Sequence, residues 1–163
     1  MNKYKVMFVC HRNVFVSPCA QAIFKQRCSA KGIINYVELE SCGLDVKNEG
    51  DFSLLIMMQI AAERNYNLSH RTRAFRETDM YMFDIILTSD AEVFNWLSGK
   101  FTKEQDVSRI FPLVDFCLKT NPGLFRDSVK PTVGQCHQMI DHLEDAADGL
   151  LEYILTDMKY NPD

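Results

Sequence analysis

The chain opens on a short apolar run, Tyr4-Lys5-Val6-Met7-Phe8-Val9, rich in β-branched and aromatic side chains, which stops at the polar stretch Cys10-His11-Arg12-Asn13. This pattern predicts a strand that ends in a loop. Pro18 and then Ala20, Ala22, Ile23 and Phe24 predict a helix, with Pro suited to its first turn and Gly32 standing where a C-cap belongs. A second strand is predicted over Tyr36-Val37-Glu38-Leu39-Glu40-Ser41. A Gly, Asp and Asn-rich connection then leads to residues 52–64, where Leu54, Leu55, Met58, Ala61 and Ala62 recur at helical spacing. Phe83-Asp84-Ile85-Ile86-Leu87-Thr88 has the apolar character of a buried parallel strand, and residues 91–98 put Val93, Phe94 and Leu97 on one helical face. Val107-Ser108-Arg109-Ile110-Phe111 predicts a fourth strand. From Thr132 to about Leu155, Val133, Cys136, Ile140, Leu143, Ala147, Leu150, Leu151 and Ile154 mark one long amphipathic closing helix. Strands alternating with helices imply an α/β fold, a three-layer sandwich in which a four-stranded parallel twisted sheet carries helices on both faces. The whole of residues 1–163 is expected to form a single domain. Ligands of such sheets bind at the carboxyl ends of the strands, so the loop after the first strand is where chemistry is expected.

Composition narrows the classes. Hydrophobic residues make up 47% and charged residues 25% of 163, enough for a core without staples and too apolar for disorder. No run reaches the ~18 apolar residues of a membrane span, and the start shows no small-residue cleavage site, so a cytoplasmic protein without membrane association is expected. In that setting the six cysteines read as thiols; no Cys-x-x-Cys pair suggests zinc, and His137 and His142 are not spaced as a helical metal pair. No metal and no cofactor are expected. A net charge of -4 argues against nucleic acid as a partner. Glu144, Asp145 and Asp148 read as the solvated face of the closing helix.

The loop itself runs Cys10-His11-Arg12-Asn13-Val14-Phe15-Val16-Ser17-Pro18. A thiol at the mouth of a loop that enters a helix N-terminus feels exposed N–H groups and the positive dipole end, which favour thiolate and attract a phosphate-like anion. The same cysteine reads equally as a small buried residue closing a strand.

These residues resemble the low molecular weight protein tyrosine phosphatases, whose corresponding loop reads Val-Cys-x-Gly-Asn-x-Cys-Arg-Ser-Pro. The resemblance continues through Ala20-Gln21-Ala22-Ile23-Phe24, Glu40-Ser41-Cys42-Gly43, Ser69-His70-Arg71-Thr72-Arg73 and Phe83-Asp84-Ile85-Ile86-Leu87-Thr88-Ser89-Asp90. It ends with Asn121-Pro122, where the family has Asp-Pro, and Thr132-Val133 at matching distance. It implies a phosphatase-type phosphate loop after strand 1, formed by Cys10, His11, Arg12, Asn13, Val14, Phe15 and Ser17.

In the family's reaction a cysteine thiolate attacks phosphorus, an arginine holds two phosphoryl oxygens with its planar fork, and an aspartic acid protonates the leaving phenolate. The resemblance makes Cys10 the nucleophile and puts Val16 at the arginine position and Asn121 at the general-acid position, so both groups are lost. Arg12 replaces the loop glycine and Phe15 the loop's second cysteine, leaving Cys19 as the nearest substitute for a redox partner. Gly123 and Leu124 replace the aromatic pair of tyrosine-specific members. Asn13, Ser17, Ser41 and His70 stand where the family has a hydrogen-bond network bracing the loop; taken without the resemblance, His70 reads as a surface histidine. Arg12 either places a guanidinium over the loop or points to solvent from its rim. Among carboxylates that could replace the acid, Asp90, Asp115 and Asp127, the last lies on the same segment as Asn121.

The implied function is a low molecular weight protein tyrosine phosphatase-like protein with a phosphate-binding loop, catalytically impaired, a pseudophosphatase. The alternative is an active phosphatase hydrolysing aryl phosphate monoesters through a phosphocysteine. The implied partner is a phosphorylated protein or another phosphate or anion ligand, met by a monomer or weak dimer. Arsenate-reducing relatives need further cysteines, and none lies between Cys42 and Cys117. Val14 resembles the tyrosine-specific type more than the arginine-specific one, which carries a small hydroxyl residue there.

Overall fold

A computed structural model describes residues 2–121 and 125–160. Four strands, β1 (Tyr4–Cys10), β2 (Val37–Gly43), β3 (Ile85–Thr88) and β4 (Ile110–Pro112), form one sheet in the order β2-β1-β3-β4. All neighbours are parallel: Tyr4 stands opposite Val37, Val6 opposite Ile85, and Ile86 opposite Ile110. Six helices surround it: α1 (Val16–Lys31), α2 (Leu55–Glu63), α3 (Asp79–Met82), α4 (Ala91–Lys100), α5 (Glu104–Val107) and α6 (Val133–Tyr160).

The period-2 geometry of β1 divides the core. Val6, Phe8 and Cys10 point into one layer with Ile23 and Phe24 of α1 and Ile140, Leu143 and Leu150 of α6. Met7 and Val9 point into the other, against Met80 of α3 and Val93 and Leu97 of α4. A strand buried on both faces has no polar alternation, which is why β1 reads as a continuous apolar run. Gly32 ends α1 at φ 78°, and Ile33 N–H closes on Cys28 O. At the other end of the chain, Thr132 and Gln135 form a capping box for α6: the Thr132 hydroxyl accepts from Gln135 N–H, while Gln135 Oε1 accepts from Thr132 N–H.

Two expectations are corrected. The strand expected over 107–111 begins only at Ile110, and residues 104–107 form α5 instead. Buried Asp106 receives the Arg109 guanidinium, which also donates to Gln105 O and Met80 O, so the polar residues 105–109 satisfy one another in a turn rather than in a ladder. Of Glu144, Asp145 and Asp148, expected as a solvated face, only Asp148 is exposed. Glu144 pairs with Arg27 and Arg64, Asp148 pairs with Arg27, and Asp145, 8% exposed, accepts N–H bonds from Leu118, Lys119 and Thr120. Among the described residues no helix is long and apolar enough to cross a membrane.

In this strand order the connection leaving β1 runs to β2 on one side and the connection leaving β3 runs to β4 on the other. The crevice at the carboxyl ends of β1 and β3 is therefore the place where a ligand meets loop backbone.

Candidate functional site: the loop after the first strand

Residues 11–15 lead from β1 into α1, and the loop's shape is held from outside by the segment after β2. Leu44 N–H donates to Cys10 O, Asp45 N–H to His11 O, and Leu54 N–H to Val14 O. A Cβ at Gly43 would lie 2.8 Å from His11 O, so only glycine allows this approach. The single left-handed residue of the loop is Asn13, at φ 60°. Asparagine tolerates that region, and Arg12, at the family's glycine position, is not asked to adopt it.

Under the loop lies a closed polar network. Asn13 is fully buried. Its Nδ2 donates to Ser17 Oγ (2.9 Å) and Ser41 Oγ (3.1 Å), and its Oδ1 accepts from Arg73 N–H (3.0 Å). Because a backbone N–H can only donate, this last bond fixes the amide's orientation. His70 Nε2, 2.6 Å from the same Oδ1, must then carry a proton. Burial, with the nearby charge of Arg73, lowers His70 to about 4, so the ring is neutral near pH 7. Arg73 is itself clamped by Glu40 and the buried Asp79. The four residues expected to brace the loop, Asn13, Ser17, Ser41 and His70, are thus in contact. Sequence reasoning gave Arg73 no role; its only signal was its place in the Ser-His-Arg-Thr-Arg stretch.

Cys10 Sγ sits at the edge of this network, 2.9 Å from Ser17 Oγ and 3.3 Å from Asn13 N–H. Asn13 Nδ2 already donates to Ser17 Oγ, so the single hydroxyl proton has two acceptors in reach, the sulfur at 2.9 Å and Cys42 O at 3.4 Å. These donors favour a thiolate, yet the balance runs the other way: burial pushes the Cys10 thiol well up, and the Asp127 carboxylate adds to it.

That carboxylate is on the ligand side of the loop. Asp127 Oδ2 accepts from Arg12 N–H (3.0 Å) and Oδ1 from Val16 N–H (3.3 Å). It bridges two loop amides four residues apart and caps the start of α1 from a segment more than a hundred residues away. The segment is anchored by buried Phe125, whose N–H donates to Ser89 O at the end of β3.

The other expected residues are dispersed. The Val16 side chain is 1% exposed and packs into the α1–α6 layer, as does Phe15. His11 lies 3.3 Å from Glu92. Arg12 lines a separate cleft of about 200 Å³ with Val14, Lys47, Leu54 and Thr72. Asn121 is exposed and, among the described residues, makes no hydrogen bond to the loop. Asp90 is used as the cap of α4, accepting from Val93 N–H. Pro122, Gly123 and Leu124 lie outside the described residues. Cys19 is fully buried in the core and all six cysteines are free. Among the described residues no cluster of His, Cys, Asp and Glu could hold a metal ion.

The sequence pattern of the low molecular weight phosphotyrosine protein phosphatases matches residues 5–160. The chain belongs to this family. A low molecular weight protein-tyrosine-phosphatase of Streptomyces coelicolor is 29% identical over 107 residues, 66% of this chain and 65% of that one. The crystal structure of a protein tyrosine phosphatase from Entamoeba histolytica with Hepes in the active site superposes with a TM-score of 0.91 at 26% identity, covering 95% of this chain and 99% of that one. A product state mimic of the Entamoeba enzyme gives 0.88 at 27% identity, covering 94% and 97%. Cys10 stands at the head of this family's loop after strand 1.

Proposed function

We propose that this chain is a catalytically impaired member of the low molecular weight phosphatase family that recognises a phosphorylated protein or another oxyanion at the loop. The observation that carries the reading is the loop's ligand side: N–H groups of Arg12 and Val16 converge there on an anion, and the residue at the arginine position is a valine packed into the core. Amides alone can bind an oxyanion but leave the transition-state charge short of a guanidinium fork. Two charge-assisted hydrogen bonds at about 1.5–3 kcal/mol each are about 3–6 kcal/mol, on the order of 10²–10⁴ in rate. A raised thiol pKa compounds this, since the thiolate is the nucleophile.

One observation favours the second reading, an active phosphatase working through a phosphocysteine. A carboxyl group, Asp127, does stand at the loop, and the Ser17 hydroxyl lies within hydrogen-bond distance of the sulfur. In that case Asp127 delivers the proton to the leaving group in place of Asn121. Hydrolysis of p-nitrophenyl phosphate separates the two. The impaired protein turns over at least about 10²-fold below ordinary enzymatic rates or not at all, whereas turnover at ordinary enzymatic rates, lost in Cys10→Ser, defeats this proposal.

A further inference from the structure

The geometry points to Asp127 as an internal ligand of the loop, a carboxylate that holds the oxyanion site in the absence of an external anion and must leave before one can bind. This rests on the reading of the loop as an oxyanion site and adds to it an occupant and a condition for binding. Three observations support it. Its two oxygens take different amides, Arg12 N–H and Val16 N–H, from opposite ends of the loop, which is how two oxygens of a phosphoryl group would divide them. No arginine fork from position 16 competes for the space, because Val16 faces the core. And the side chain has somewhere to go: Asp127 also lines a cleft of about 410 Å³ with Phe15, Phe125, Ser128, Gln138 and His142.

An incoming oxyanion and Asp127 cannot share the site. They need the same two donors, and two anions in contact repel, whereas the cleft beside the loop, which Arg126 also lines, receives a displaced carboxylate. Binding is therefore an exchange, in which the ligand gains the amides that Asp127 gives up and the carboxylate moves into the neighbouring cleft. Phe125 stays in place through its buried ring and its bond to Ser89 O, so the exchange is confined to the side chain and its immediate neighbours. A cradle with its own anion gives low affinity for free phosphate and reserves binding for ligands that add contacts outside the loop. That selects a phosphorylated macromolecule over the inorganic ion.

The experiment titrates inorganic phosphate into wild type, Asp127→Ala and the isosteric Asp127→Asn, following the amide resonances of Arg12 and Val16. Asp127→Ala is expected to bind at least about tenfold more tightly than wild type, equivalent to about 1.4 kcal/mol. Asp127→Asn should fall between them, and the two amide resonances should shift on substitution even without phosphate. If all three proteins bind phosphate at the loop with equal affinity, the internal ligand is overturned while the oxyanion site stands. If none binds and Asp127→Ala is folded, the oxyanion reading itself fails and the exchange fails with it.

Discussion

On the sheet side of the loop, Asn13, Ser17, Ser41 and His70 satisfy one another's donors and acceptors with neutral partners, and Arg73, which reaches them through its backbone N–H, has its guanidinium neutralised by Glu40 and Asp79. On the ligand side, two backbone N–H groups are met by a carboxylate from a distant segment, and no cation is bonded to it among the described residues. The first arrangement serves the loop's shape; the second decides what charge the loop holds. Shape and charge are separable because the backbone amides that bind an anion are positioned by bonds on the opposite face. On the proposed reading the family's scaffold is kept intact while its transition-state electrostatics are dismantled.

The largest effect should come from restoring charge to the ligand side. Val16→Arg alone has two obstacles: the native side chain is buried in the core, and a guanidinium turned outward meets Asp127, which would hold it as an ion pair over the loop. Val16→Arg with Asp127→Asn removes the second obstacle. The pair is expected to raise kcat/KM for p-nitrophenyl phosphate by roughly 10²–10⁴ over wild type, with Val16→Arg alone gaining far less. A double variant slower than wild type would instead mark Asp127 as the proton donor of an active enzyme.

Next is the bracing side. Asn13→Ala strips partners from Ser17, Ser41, His70 and the Arg73 N–H in one step, and leaves an L-residue without a polar side chain at φ 60°. Unfolding in urea should show a loss of about 3–4 kcal/mol. Asn13→Gly relieves the backbone but not the hydrogen bonds, so it should recover about 1 kcal/mol of that. Equal losses in the two variants would mean that the left-handed backbone costs nothing here.

How far these two sides were legible in the sequence differs for a physical reason. The two central strands, β1 and β3, are evident as apolar runs because they are buried on both faces, β2 at the sheet edge is evident through Val37 and Leu39 alternating with Glu38 and Glu40, and the period of α6 is evident because that helix buries one face only. Residues 104–107 were not, since Asp106 and Arg109 make a turn whose partners, including Met80 O, come from elsewhere in the chain. The bracing residues were legible only as a resemblance, because Asn13, Ser41 and His70 lie up to 57 positions apart and no periodicity links them. Asp127 stood out among the carboxylates only by sharing a segment with Asn121, and nothing in the sequence places it on the loop amides. What brings it to the loop is the anchoring of Phe125 on Ser89, a contact between two irregular segments that leaves no pattern in either. The acidic residues of α6 were misjudged because their partners, Arg27, Arg64 and the amides of 118–120, sit on other elements.

A smaller effect should appear with pH. His70 is lowered in the fold from its ordinary 6.5 to about 4, so the unfolded chain binds more protons between those values. The stability tied to the neutral ring is full above pH 6.5, declines as pH falls and is exhausted near 4. With the partial exposure of the ring discounted, the change is about 2 kcal/mol. His70→Gln, which can still donate to Asn13 Oδ1 but does not titrate, should lose this part of the slope in urea unfolding between pH 7 and 4.5. The difference between the two proteins isolates it from other titrating groups.

The smallest effect is expected at Arg12, and it bears most directly on the comparison. Its backbone N–H belongs to the ligand side, whereas its side chain lines the cleft with Lys47 and Thr72, beside the loop rather than over it. A half-exposed guanidinium in that place acts on the loop through solvent, where charges are screened within about 10 Å at ordinary salt. Arg12→Ala should therefore leave stability within about 0.5 kcal/mol. In the Asp127→Ala background, where the loop is open, it should weaken phosphate binding by no more than about threefold, and less in high salt. A loss of a hundredfold or more would show the guanidinium reaching over the amides as the family's arginine does. The ligand side would then have moved its positive charge from position 16 to position 12 instead of giving it up.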